Sequence, residues 1–154
     1  MPQYADLYFL IESRDKRKVC AFLDTYLPER EETADDYVVN NGDESLVLTD
    51  LNALMDYLEQ NTNVDQVIYW RNLDALNIHR YGMVFYTDDG YMIFGISMEG
   101  RLPNDGHVED EFTQLKANLK IAIGCITIEE SPPVNSVEFR SFCENRHIPG
   151  KGLK

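Results

Sequence analysis

Residues 81–98 read YGMVFYTDDGYMIFGISM: two almost wholly apolar runs of strand-forming residues, broken by Asp88, Asp89 and Gly90. Two β-prone runs this close in sequence fold back on each other, so an antiparallel hairpin sits within whatever sheet the chain builds. With Asp89 and Gly90 as a two-residue loop of the primed type, Thr87 faces Met92, Phe85 faces Phe94 and Met83 faces Ile96. On this reading Asp88 and Asp89 turn the chain. A solvated aspartate pair at a hairpin tip holds a hard cation weakly unless other oxygen ligands converge on it.

The rest of the chain supplies partners for that hairpin. ADLYFLIE is a continuous apolar run of strand length without clean alternation, which predicts a central strand covered on both faces. Ser13 stands at an N-cap position, and Val19, Cys20, Phe22, Leu23, Tyr26 and Leu27 recur on one helical face until Pro28. DDYVV and SLVLT flank NNGD as a small hairpin. Thr49 or Asp50 caps a helix with Leu51, Leu54, Met55 and Leu58 on one side, and DQVIYWRN follows as another strand. NLDALNIHRYG fits neither period and reads as a loop or short helical turn. Val108, Phe112, Leu115, Leu119 and Ile123 define a third helix ended by Gly124, with acids early and lysines late, as the helix dipole favours. CITIEE reads as a last strand, and Asn135 with Glu138 forms a capping box for a final helix.

Hairpins and an excess of strands over helices predict an α+β fold: one domain over 1–148, an antiparallel or mixed sheet of five to seven strands, and two to four helices mainly on one face. HIPGKGLK reads as loose, with 149–154 as a flexible tail. The 154 residues are 44% apolar, enough for one real core.

The same composition removes several function classes. A formal net charge of −13 opposes direct binding to nucleic-acid phosphates. No run approaches the ~20 apolar residues of a membrane span, and the N-terminus lacks the basic flank of a signal peptide, so a cytoplasmic location is expected. Cys20, Cys125 and Cys143 are odd in number and widely spaced, which suggests buried thiols rather than disulfides or a zinc site. No Gly-x-Ser-x-Gly elbow, phosphate loop or dinucleotide fingerprint is present, and no cofactor is expected. His107 and Glu111 would share a helical face, but that pair also suits the start of a helix electrostatically, and no metal site is assigned.

What remains is a surface. Up to Asn63 there are 14 acidic and 5 basic residues, against 13 and 9 after it, and PEREETADD is the densest acidic stretch. Its Glu29, Glu31, Glu32, Asp35 and Asp36 would attract a basic protein partner, with Tyr69, Tyr86 and Tyr91 as aromatic anchors on the sheet. The chain shares the general profile of small bacterial immunity or inhibitor proteins: short, acidic, α+β and without a catalytic signature. Two alternatives stay open. Arg71, Arg80 and Arg101 flank strands and would fix an anion in a small-ligand or enzyme pocket, or an exposed strand edge would pair with a second copy of the chain.

Overall fold

The structure is a computed structural model that describes residues 2–150. In chain order the elements are β1 (Tyr4–Ile11), α1 (Lys16–Tyr26), β2 (Arg30–Glu32), β3 (Tyr37–Asn41), β4 (Glu44–Leu48), α2 (Leu51–Gln60), β5 (Gln66–Asn72), β6 (Tyr81–Tyr86), β7 (Met92–Glu99), α3 (Gly106–Leu119), β8 (Gly124–Ile128) and α4 (Ser136–Glu144). Six strands form an antiparallel sheet in the order β2-β5-β6-β7-β1-β8, and β3 with β4 makes a separate hairpin. The fold is α+β, as the alternation of hairpins and helices predicts.

β1 explains why its sequence does not alternate. It lies between β7 and β8 and is covered on both sides. Ala5, Leu7, Phe9 and Ile11 face the large core built with α1, α2 and α3, while Tyr8 and Leu10 face a smaller cluster closed by Phe139 and Cys143 of α4. Two hydrophobic layers therefore share one sheet, the second covering only part of its face.

The central hairpin differs from the expected register by one residue. Tyr86 pairs with Met92, Phe85 with Ile93 and Val84 with Phe94. The loop holds three residues: Thr87 N–H donates to Tyr91 O (3.0 Å), Gly90 N–H returns to Thr87 O (3.3 Å), and Gly90 takes φ 97°. A type I turn followed by a left-handed glycine is the usual three-residue solution. Both strands are apolar on both faces, so hydrophobic pattern alone does not choose between the registers.

Helix ends differ in detail too. Asp15, rather than Ser13, caps α1 by accepting from Arg17 N–H, and Asp50 caps α2 through Ala53 N–H. α3 stops at Leu119, where Lys120 turns into the left-handed region at φ 56°. Gly124 does not end that helix but opens β8, and its lack of a side chain fits the close approach there, since a Cβ would meet Tyr8 O at 2.6 Å. His147 bridges to Ile126 and Ile148 packs beneath α4, so the start of the expected loose tail is held, while 151–154 lie outside the described residues.

Asp88 and Asp89 do turn the chain, and they also dock it. Asn135, the N-cap of α4, donates Nδ2–H to Asp88 Oδ1 (2.9 Å), and Asp89 accepts the Ser136 hydroxyl and its N–H. Partial burial works to raise the Asp89 pKa, but the Ser136 and Thr87 hydrogen bonds outweigh it and hold the carboxyl below its ordinary range.

Candidate functional site

The acidic stretch folds along one edge of the main sheet. β2 pairs with the end of β5, Arg30 opposite Asn72 and Glu31 opposite Arg71. Glu31 forms an ion pair with Arg71, and Glu32 accepts the Tyr37 hydroxyl at 2.7 Å, which ties the segment's far end to the β3–β4 hairpin. Glu29, Asp35 and Asp36 are exposed, with no ion-pair partner among the described residues. A short edge strand lined with carboxylates also resists adding another strand.

Beside this edge stands the segment that fits neither period, residues 73–80. It is irregular but thoroughly hydrogen-bonded. Asp74 N–H donates to Asn72 Oδ1 (2.9 Å), Leu76 N–H to Asp74 Oδ1 (3.0 Å) and His79 N–H to Asn77 Oδ1 (2.9 Å). Asn72 Nδ2–H closes the loop on His79 O (2.7 Å), and the Arg80 guanidinium donates to Asp74 O and Asn77 O (2.8 and 3.0 Å). Such side-chain turns fix a backbone that has no ladder. His79 then anchors the loop to the body through Glu111 of α3 (2.9 Å), its ring edge-on to Tyr26 of α1.

This rigid loop turns its aliphatic side chains outward. Leu73 is 55% exposed, Ile78 54% and Leu76 94%. Leu73 N–H donates to Glu29 O (2.8 Å), so the apolar loop and the acidic edge join as one surface. Sequence reasoning passed over these three residues for lack of a period. The available signal was polar: Asn72, Asp74 and Asn77 each stand two residues before an N–H that their side chain can accept.

The tyrosines do not share one surface. Tyr69 is 39% exposed, Tyr91 is half-buried against the α4 cluster, and Tyr86 is fully buried, its ring 5.2 Å below the Arg14 guanidinium. Tyr86 faces the large core because the observed register puts it on the α1–α3 side, and it is not a surface anchor. The arginines also have separate places. Arg71 pairs with Glu31 on the α4 side, Arg80 is taken up by loop carbonyls, and Arg101 is exposed in the turn before α3.

On the α4 side of the sheet, one row crosses all six strands: Thr127, Asp6, Ser97, Tyr81, Arg71 and Glu31. Asp6 is only 7% exposed, and its Oδ1 accepts the Ser97 hydroxyl. Burial is the largest influence on this carboxyl; the Ser97 hydrogen bond opposes it, the nearby Glu129 charge adds to it, and the pKa rises to about 6. A buried acid beside a serine invites a catalytic reading, but all three histidines are engaged elsewhere. His79 contacts Glu111, His107 contacts Glu99 O, and His147 contacts Glu109.

Other chemistry finds no assembled site. No group of three or more His, Cys, Asp or Glu among the described residues is placed to hold a metal. His107 and Glu111 are committed to different partners. Cys125 and Cys143 are buried together between β8 and α4, where their mutual hydrogen bond and burial push the Cys125 thiol far up and make it a poor nucleophile. No helix among the described residues is long and apolar enough to cross a membrane. No family model matches the chain, and no curated protein or solved structure matches it either.

Proposed function

We propose that this protein acts through binding rather than chemistry, presenting the acidic edge around Glu29, Glu31, Glu32, Asp35 and Asp36 together with Leu73, Leu76 and Ile78 to a basic protein partner. In its sharper form it is an immunity-type inhibitor that covers a cationic enzyme. The observation that carries this reading is the joint at Leu73 and Glu29, where a pre-ordered apolar loop meets exposed carboxylates. Carboxylates steer encounter with a cationic surface, and the aliphatic side chains supply area to bury on docking. Because the loop is already fixed by its own side chains, little ordering entropy remains to oppose binding.

The test is a salt-graded capture from the native lysate with three baits: wild type, Leu76→Asp, and the triple variant Glu29→Lys, Asp35→Lys, Asp36→Lys. A basic protein held by wild type at low salt, weakened at high salt and lost from both variants supports the proposal. Retention of the same proteins by all three baits, or the absence of a basic one, sinks it.

A further inference from the structure

Most described cations in this acidic chain are spoken for. Lys16, Arg17, Arg30, Arg71, Arg140 and Arg146 have carboxylate partners, and Arg14 and Arg80 are taken up by backbone carbonyls. Lys18, Arg101, Lys116 and Lys120 have no ion-pair partner among the described residues, and of these four Lys18 and Lys120 line one cleft.

That cleft, of about 660 Å³, runs between α1 and the C-terminal end of α3. Its walls and floor include Ile11, Phe22, Leu119 and Ile121, and Glu12 at the rim is turned toward Arg140 (3.3 Å). The volume lies within the roughly 300–1,000 Å³ typical of small-molecule sites.

Each lysine sits where the backbone disfavours it. Lys18 belongs to the first turn of α1, which reads Lys-Arg-Lys with no acid, at the end where the helix dipole favours anions. Asp15 and Asp56 answer the other two cations of that turn, and Lys18 has no ion-pair partner among the described residues. Lys120 occupies the left-handed position after α3, with Lys120 N–H bonded to Ala117 O and Ile121 N–H to Lys116 O. Glycine is the usual residue there, since a side chain at positive φ is strained.

We infer that the cleft binds a small amphipathic carboxylate, its apolar body against Phe22 and Ile121 and its anion between Lys18 and Lys120. Two lysines without carboxylate partners among the described residues line a cleft that also presents apolar side chains, and together they complement such a molecule at both ends. The site is independent of the surface assigned to a protein partner: it uses Lys18 of α1 and Lys120 just after α3, not the acidic edge or Leu73, Leu76 and Ile78.

The experiment is titration of the full chain with decanoate and, separately, decanol, following backbone amides by heteronuclear NMR. Decanoate should shift amides along α1 and at 118–122, and bind about tenfold tighter than the neutral alcohol. The double variant Lys18→Gln, Lys120→Gln should bring the two affinities within about twofold, since only the charge interaction is removed. Ala21→Trp, which fills the cleft from an exposed helix position, should abolish both while leaving the melting temperature close to wild type. Leu76→Asp should change none of these results, which separates this site from the partner surface. Equal binding of decanoate and decanol by wild type, no amide shifts along the cleft, or decanoate binding that survives Ala21→Trp would overturn the inference.

Discussion

The two faces of the six-stranded sheet are built to different rules. On the α1–α3 side every strand but the short edge strand β2 contributes fully buried apolar residues to one continuous core. On the α4 side the rows grade from Leu10, Ile93 and Phe85 under the helix, through Tyr8, Gly95 and Met83, to the polar row of Asp6, Ser97 and Tyr81. The first face holds the fold together, and the second exchanges stability for polar groups. Substitutions should therefore differ not only in size between the faces but in sign.

The largest expected effect is on the first face. Phe94 is 1% exposed and stacks on Phe22 with ring centroids 4.6 Å apart. Phe94→Ala should cost about 4 kcal/mol, combining lost transfer free energy with the cavity left behind. Tyr69→Ala, on the open part of the other face, should cost about 1 kcal/mol or less. Denaturant midpoints for the two variants check this contrast, and equal losses would break it.

Arg14 ranks next. Its guanidinium donates to Leu58 O (2.6 Å), Asn61 O (3.0 Å), Val64 O (2.7 Å) and Thr87 O, joining the end of α2 to the central hairpin. Arg14→Met should lose about 3 kcal/mol, because buried carbonyls left without donors are costly. Arg14→Lys should recover little of it, since one ammonium cannot reproduce the fork. Full rescue by lysine would show that charge, rather than donor geometry, is what the site uses.

Asp6 should show the opposite sign. Its pKa is raised from 3.8 unfolded to about 6 folded, so between these values the folded state binds the extra proton. Stability from this group is intact below pH 4, falls as pH rises through the window, and stays lower above pH 6 by about 3 kcal/mol, at 1.36 kcal/mol per pKa unit. Asp6→Asn keeps an acceptor for Ser97 and removes the charge. Relative to wild type it should be neutral near pH 3.5 and gain up to about 3 kcal/mol at pH 7. A pH-independent difference between the two proteins would show that the carboxyl does not titrate in this window.

The contrast between faces also shows what was legible in the sequence. β1, α1, α2, α4 and the NNGD hairpin carry local signals, a capping side chain or an uninterrupted period, and those signals act within a few residues. The register of β6 and β7 was hidden because Met83, Val84, Phe85 and Tyr86 are all buried, so either pairing hides apolar surface. The end of α3 was hidden because Ile121 and Ile123 prolong the apolar pattern past the backbone turn at Lys120. Arg14 and Asp6 were unreadable for a different reason: their partners are distant in sequence, from Leu58 to Thr87 for one and Ser97 for the other. The acidic edge was visible as composition, but its joining to Leu73, Leu76 and Ile78 required the pairing of β2 with β5.

The smallest predicted effect tests how firmly α4 belongs to the second face. Asn135 caps the helix through Val137 N–H and Glu138 N–H (3.0 and 3.2 Å) and reaches back to Asp88. Asn135→Ala should cost about 1 kcal/mol. That loss need not fall on the whole molecule. α4 lies outside the large core, so it can open as a local unit while the α1–α3 face stays folded. Cys143, 2% exposed beneath α4, reports such opening through its reaction with an aromatic disulfide reagent. If α4 opens alone, the variant should label about fivefold faster than wild type with nearly the same denaturant midpoint, since 1 kcal/mol in a local equilibrium is about that factor. If labelling accelerates only in step with a fall in global stability, α4 opens only when the sheet does, and the two faces are one cooperative unit.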